Sequence, residues 1–252
     1  MDMKTELAVF PNNWSKGAGL LLALLTFAAL AWAGDEPWKG KPYQQWTEKD
    51  LERIFAYSPW SQKAELTRTW LPLRAEDLPP GMISGSGRTL PKGSEKSDEG
   101  TLGKDVNFNV YWISSRVMRE ASARQGILKK QMDEAKAYAS VNQPQDEYQI
   151  VIQGADMAPF VRKDEKFFQT NSYLLPRKSK QKISPTHVRY ERDAKGILVT
   201  SALFFFPRKT ASGDPTIAAD EKNVEFTCQV EGSTLRVNFE PQKMVDQTGP
   251  DL

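Results

Sequence analysis

The chain has 252 residues and a formal net charge of +2, from 34 Lys and Arg against 32 Asp and Glu. Hydrophobic residues make up 39% and charged residues 26%, a near-average globular composition that excludes a collagen, a coiled coil and a disordered polyelectrolyte. The small net charge argues against a dedicated nucleic-acid-binding protein. One His and one Cys exclude any site that needs two His ligands, two Cys ligands or an internal disulfide. We therefore expect no metal site, no cofactor and no nucleic-acid partner.

Residues 1–33 have the three parts of a secretory signal peptide: a region with two lysines, an apolar stretch over residues 17–30 and an A-x-A site. The apolar stretch is shorter than the about 20 residues that a membrane span needs. We expect cleavage near Ala33-Gly34, which leaves a periplasmic or extracellular mature protein. The alternative is an uncleaved membrane anchor, and only in that case do we expect contact with a membrane.

Residues 34–78 are predicted to form an aromatic-rich helical segment at the mature N-terminus. Thr47 has the residue type of an N-cap, and acids follow it in the first turn, where the helix dipole favours them. Ser58-Pro59 ends this helix because the residue before a proline avoids the helical region. A second short helix is predicted over residues 61–70.

Four aromatic side chains of this segment are candidate ligand-binding residues: Trp38, Tyr43, Trp46 and Trp60. Flat apolar rings can stack on sugar rings in a groove. Alternatively, the rings clamp the first helix onto the core, which is the usual role of aromatic residues at helical spacing. Residues 79–105 are predicted to be a flexible linker or loop, since Gly, Ser and Pro occupy 13 of the 27 positions.

Residues 106–252 are predicted to form an α+β core domain. Alternating apolar residues over 106–112 and again over 148–152 predict two half-buried strands. Between them, Ser114 or Ser115 caps one long amphipathic helix. A strand, a helix and a strand of these lengths can form a right-handed crossover, and we therefore expect the two strands to be parallel. The predicted fold is a mixed, mainly antiparallel sheet with this helix packed on it, preceded by the short aromatic-rich helical segment.

The C-terminal third of the domain is predicted to be antiparallel. Residues 197–206 are a nearly continuous apolar run, which is typical of a central strand covered on both faces. Alternation on both sides of Gly232-Ser233 predicts a hairpin with a type II′ turn. In that register Val230 pairs with Leu235, Cys228 with Val237, and Phe226 with Phe239. The predicted core residues are Phe108, Val110, Trp112, Ile150, Ile152, Leu203, Phe226 and Val237.

Several short motifs together resemble an uncharacterised family of exported bacterial proteins, and the resemblance covers most of the mature chain. It implies export, but no activity, cofactor or residue role. The motifs are KPY at 41–43, WT at 46–47, KD at 49–50, SPW at 58–60, YWISS at 111–115, REA at 119–121, FFPR at 205–208, VEF at 224–226 and KMV at 243–245.

His187 and Cys228 are the reactive side chains that a nucleophilic mechanism would need. His187 lies on the polar side of its predicted strand, which indicates an exposed surface residue rather than a catalytic base. Cys228 shares the apolar side of its strand with Phe226 and Val230, which indicates a buried small hydrophobe rather than a reactive thiol. We therefore expect no catalytic residue of either kind.

Two further groups of charged residues have both a functional and a plain interpretation. A glycosidase needs only two suitably placed acids, although acids on a helix are more typical of a solvated face. A basic run between two prolines predicts a loop, or else a contact with an anionic polymer or membrane surface. The acids are Asp133, Glu134, Asp146, Glu147 and Asp156, and the basic residues are Arg177, Lys178, Lys180 and Lys182.

The sequence favours a non-enzymatic exported envelope protein that binds or scaffolds a protein or polysaccharide partner. This hypothesis follows mainly from the lack of a recognisable catalytic motif. One alternative is a carboxylate-based, glycosidase-like hydrolase. The other is a membrane-anchored subunit of an envelope complex.

Overall fold

A computed structural model describes residues 36–66, 106–230 and 233–252. The predicted signal peptide lies outside the described residues, and so does the predicted linker over 79–105. The described chain is α+β, as predicted, and its sheets are antiparallel. Among the described residues, no helix is both long enough and apolar enough to cross a membrane.

Two antiparallel sheets form the centre of the molecule. The larger has five strands in the order β1-β2-β3-β6-β5, and the smaller has three in the order β4-β7-β8. A short hairpin of β9 and β10 follows near the C-terminus. The strands are β1 (Ser61–Leu66), β2 (Val106–Trp112), β3 (Glu147–Gly154), β4 (Ser172–Pro176), β5 (His187–Arg192), β6 (Val199–Pro207), β7 (Val224–Val230), β8 (Ser233–Phe239), β9 (Val245–Asp246) and β10 (Gly249–Pro250).

The core lies between the two sheets and is rich in aromatic rings. Trp112 of β2 meets Phe239 of β8 edge to face at 5.2 Å between ring centroids, and Phe204 of β6 meets Phe226 of β7 at 5.3 Å. Such pairs add to the stabilisation from burial itself. All eight predicted core residues are buried. Leu203, however, lies on the opposite face of the large sheet, in a small apolar cluster with two other buried side chains.

The predicted long helix is wrong: the chain forms two helices over this interval. Ser115 caps the first, as predicted, by accepting a hydrogen bond from the Met118 amide at 3.2 Å. The first helix ends in a turn in which Lys130 takes a left-handed conformation, with φ of 56°. Asp133 then caps the second. The helices are α1 (Pro37–Gly40), α2 (Glu48–Tyr57), α3 (Arg116–Leu128), α4 (Glu134–Asn142), α5 (Ala158–Val161) and α6 (Glu165–Asn171).

This break explains why the predicted parallel crossover is also wrong. Strands β2 and β3 are neighbours, but they pair antiparallel, with Trp112 opposite Ile150. One unbroken helix would carry the chain to the far end of the sheet. Helices α3 and α4 instead run out and back, so the chain returns to the end of β2 that it left.

Residues 61–66 form the edge strand β1 and not the predicted helix. Ala64 pairs with Phe108 in β2, and Leu66 is buried. The composition of this stretch is compatible with a helix, but pairing with the edge of β2 overrides a weak local preference. The described part of the N-terminal segment therefore completes the large sheet.

The hairpin of β7 and β8 keeps the predicted faces but not the predicted register. Val230 pairs with Ser233 and Cys228 with Leu235, a shift of two residues from the prediction. Residues 231–232 lie between the strands and outside the described residues, so the predicted turn type is not tested. The same side chains point inward in both registers because the side-chain period of a strand is two.

Candidate functional site

A cavity of about 250 Å³ lies between the N-terminal segment, helices α3 and α4, and the β9–β10 hairpin. We call it the Glu120 cavity. Its wall carries the carboxyl groups of Glu120 and Asp246, the cation of Arg116, and the rings of Tyr43 and Tyr138. Amide side chains and a threonine also line it. The cavity therefore offers both signs of charge, hydrogen-bonding groups and aromatic surface to one small ligand.

Hydrogen bonds from Trp46 fix the N-terminal wall of the cavity. The indole N–H of Trp46 donates to the carbonyl oxygens of Pro37 at 3.2 Å and Lys41 at 3.1 Å. The Arg124 Nε on α3 donates to the carbonyl of Trp46 at 2.9 Å. The loop that carries Tyr43 is thereby closed on itself and tied to α3.

Helix α2 adds a second restraint to the same wall. Thr47 caps α2, as predicted, and also forms a capping box with Asp50, in which the Thr47 amide donates to the Asp50 carboxylate at 2.7 Å. The ammonium group of Lys41 also donates to Asp50, at 2.7 Å. The start of α2 thus holds the end of the loop that borders the cavity.

Asp251, next to the C-terminus, anchors the opposite wall. Its carboxylate accepts hydrogen bonds from the backbone amides of Arg116 at 2.6 Å and Val117 at 2.9 Å, at the start of α3. Its carbonyl oxygen accepts from the indole N–H of Trp60 at 2.7 Å. A carboxylate at this position accepts hydrogen bonds from backbone amides that have no partner within the helix, and the helix dipole stabilises its negative charge. It fixes the start of α3, and Glu120 lies one turn further on.

Burial raises the pKa of Glu120 from its ordinary value of 4.5 to about 7. Arg116 and Arg119 oppose this rise, whereas the charges of Asp246 and Asp251 add to it. Burial also raises the pKa of Asp251, against its two backbone hydrogen bonds. Glu120 is therefore present in both protonation states near neutral pH. Such a carboxyl group can donate a hydrogen bond, accept one, or move a proton.

The four predicted ligand-binding residues do not share one groove. Trp38 and Tyr43 line the Glu120 cavity, with 5% and 8% of their surface exposed. Trp46 and Trp60 are 1% and 0% exposed, and their N–H groups are engaged by backbone carbonyls. The Trp38 indole N–H is buried and has no hydrogen-bond partner in the described chain.

His187 and Cys228 lie where the sequence predicted, and neither lines the cavity. His187 is exposed and stacks on Phe205, with 4.0 Å between ring centroids and an angle of 10°. Cys228 is fully buried, and burial raises the pKa of its thiol to about 12. A thiol in that state is not a nucleophile at neutral pH.

The acids considered from the sequence lie elsewhere. Asp133 caps α4, while Asp146 and Glu147 line a separate cleft of about 490 Å³ over the outer face of the large sheet. Within the described ranges, no group of three or more His, Cys, Asp or Glu side chains is arranged to hold a metal ion.

Sequence reasoning missed Glu120, Asp246 and Asp251 as site residues. Glu120 appeared only within the REA motif at 119–121. Its neighbours in space lie at the far end of the chain, so no local spacing relates them. The raised pKa values of Glu120 and Asp251 depend on burial that only the folded chain creates.

Fold and cavity together define an antiparallel α+β protein with a small polar cavity beside its N-terminal aromatic residues. No protein-family model, curated protein or solved structure matches the chain.

Proposed function

We propose that this protein is an exported, non-enzymatic component of a bacterial cell envelope and binds the terminal sugar unit of a polysaccharide in the Glu120 cavity. One observation carries the proposal: two tyrosine rings, Tyr43 and Tyr138, line the same cavity as Glu120 and Asp246. Sugars present apolar ring faces and many hydroxyl groups, so they bind to aromatic surface bordered by carboxyl and amide groups.

The size of the cavity supports a terminal unit rather than a long internal segment. A volume of about 250 Å³ equals that of about eight water molecules at ~30 Å³ each. It lies just below the range of about 300–1,000 Å³ that is typical of small-molecule sites, so the cavity suits a single sugar unit.

The exported location rests on the signal-peptide pattern of residues 1–33 and on the resemblance to a family of exported bacterial proteins. Both belong to the proposal. Intact mass of the protein recovered from the periplasm tests them, because cleavage near Ala33-Gly34 removes a defined mass. A full-length mass in the membrane fraction would contradict cleavage and favour the anchored alternative.

Binding is tested by isothermal titration of the purified protein with short oligosaccharides such as chitotriose and maltotriose. Tyr138 lines the cavity and is 66% exposed, whereas Tyr57 is 76% exposed and lies outside this cavity. Tyr138→Ala should weaken binding by about tenfold through lost ring contact. Tyr57→Ala is the matched control and should bind as the parent does. Absence of binding, or equal loss in both variants, would contradict the proposed site.

A second candidate function is hydrolysis of a glycosidic bond in the same cavity. It is favoured by the pKa of Glu120, about 7, because a glycosidase needs one carboxyl group that is protonated near neutral pH and a second that is ionised. Asp246 is the other carboxyl group that lines this cavity.

Incubation of the same oligosaccharides with the protein, followed by a reducing-end assay, separates the two functions. A hydrolase would release sugar at a rate that falls above about pH 7, and Glu120→Gln and Asp246→Asn would each abolish release. Recovery of intact oligosaccharide under conditions in which the protein is saturated would contradict hydrolysis and support binding only.

A further inference from the structure

Another cavity, of about 530 Å³, is lined by residues between positions 179 and 218, none of which lines the Glu120 cavity. It is formed by the loop after β4, residues 177–186, and by the hairpin over residues 208–216. We call it the Lys182–Lys209 pocket after its two cationic side chains. The described residues that line it include hydroxyl and apolar side chains but no carboxylate.

Lys182 and Lys209 are exposed side chains, one on each wall of the pocket. Neither Lys182 nor Lys209 forms an ion pair with a described residue, whereas nearby Lys178 pairs with Asp220. The Lys182 ammonium lies 4.3 Å from the centroid of the Tyr173 ring. A cation–π contact of this kind positions an ammonium group without cancelling its charge.

Buried interactions hold the first loop. The backbone of Ile183 exchanges two hydrogen bonds of 2.9 Å with Leu174 of β4. At the start of the loop, the carboxylate of Glu221, which is only 2% exposed, accepts from the Lys178 amide at 3.0 Å. Lys182 therefore lies between two points of the loop, Lys178 and Ile183, whose backbones are held by hydrogen bonds.

The opposing hairpin is held in a similar way. The Thr210 amide donates to the Asp214 carbonyl at 2.8 Å, and the Thr216 amide donates to the Arg208 carbonyl at 2.9 Å. Gly213 takes φ of +91° at the turn, a backbone conformation that residues with a side chain rarely adopt. A pocket with both walls fixed loses little entropy when a ligand binds.

We propose that the Lys182–Lys209 pocket binds the phosphate monoester group of a small organic molecule. A phosphate monoester carries a charge of about −1.5 to −2 and three acceptor oxygens near pH 7. Lys182 and Lys209, one on each wall, supply two positive charges to match it, and the hydroxyl of Ser184, which lines the same pocket, can donate to a remaining oxygen. A carboxylate would leave one of the two cations unbalanced.

The apolar part of the lining accommodates the organic body of the ligand. Ile183, Pro207 and Pro215 line the pocket beside the lysines. The volume of about 530 Å³ falls within the range of about 300–1,000 Å³ that is common for small-molecule sites. This inference is independent of the sugar-binding proposal and concerns different residues.

Titration of the full-chain protein after export and purification tests the inference. The probes are inorganic phosphate, glycerol 3-phosphate, glycerol, and phosphatidylcholine vesicles with or without phosphatidic acid. Binding of glycerol 3-phosphate but not of glycerol supports a soluble ester. Binding only to vesicles that contain phosphatidic acid supports a lipid phosphomonoester. Failure of every phosphate-bearing probe at millimolar concentration overturns the inference.

Substitutions of the two lysines test whether the binding that is measured occurs in this pocket. Lys182→Gln and Lys209→Gln should each weaken binding by about tenfold or more, because each removes a charged hydrogen bond. Lys209→Arg retains the charge and should stay within about threefold of the parent. Lys195→Gln, in an exposed turn between β5 and β6, is the control and should change nothing. Unchanged affinity in both glutamine variants would overturn the assignment even if a probe binds.

Discussion

Glu120→Gln should stabilise the folded protein above neutral pH, because glutamine preserves the shape of the side chain and cannot ionise. The rise of the Glu120 pKa from 4.5 to about 7 corresponds to roughly 3 kcal/mol, at about 1.4 kcal/mol for each tenfold change in proton affinity. Glu120 is only partly buried, so solvent screens part of this energy. We therefore expect a gain of roughly 1–3 kcal/mol at pH 8.

The sign follows from the direction of the pKa change. An acid with a raised pKa binds its proton more tightly in the folded than in the unfolded state. The cost of burying the charged carboxylate is therefore fully present above about pH 7 and disappears as the pH falls towards 4.5. The stability difference between variant and parent should follow the same course.

Urea denaturation of both proteins at several pH values between 4.5 and 8.5 measures this difference. Comparison at each pH largely removes the contributions of other groups, including the raised pKa of Asp251. Glu65→Gln, at an exposed position of β1, is the matched control. A stability difference that stays constant over the whole pH range would refute the reasoning about Glu120. A destabilised variant at pH 8 would do the same.

Three further predictions follow from the packing. Asp251→Ala should lower the free energy of unfolding by about 1–2 kcal/mol in urea denaturation, because it removes the acceptor for two amides at the start of α3. Trp60→Ala should cost about 3–5 kcal/mol in the same assay, since the ring is fully buried, whereas Tyr57→Ala should change stability by about 0.5 kcal/mol or less. The Cys228 thiol should not react with a thiol reagent at pH 8 in the native protein, and should react once urea unfolds the chain. Rapid native-state labelling would contradict its burial.

Local signals in the sequence predicted the elements that local chemistry determines. The residue types of Thr47 and Ser115 predicted helix starts, and both side chains cap their helices. The apolar run before Pro207 predicted a central strand, and β6 lies between β3 and β5 with both faces covered. Ile197 and Leu198, at the start of that run, are nevertheless exposed, because the strand itself begins at Val199.

The errors arose where distant parts of the chain determine the structure. The break between α3 and α4 depends on a left-handed conformation at Lys130, a residue type that gives no such signal. Strand β1 exists because it pairs with β2 across the interval 67–105. The β7–β8 register could not be chosen from alternation, since a slip of two residues leaves every side chain on the same face.

The candidate site was beyond sequence reasoning for the same reason. Trp38 and Tyr43 were identified because aromatic residues are conspicuous in a sequence. Glu120 resembles any acid on a helix until the C-terminal residues are packed against it. Two of the predicted rings, Trp46 and Trp60, hold the walls together instead of lining the cavity.

The position of Glu120 bears on function because the fold does not require an acid there. Aromatic contacts between β2 and β8 and between β6 and β7 hold the two sheets together. The backbone amides at the start of α3 already donate to the carboxylate of Asp251. A glutamine would fill the same space without the burial cost of a charge. A carboxyl group with a pKa raised by burial, in a cavity that also carries Asp246 and two tyrosine rings, is therefore a candidate for binding a ligand or moving a proton.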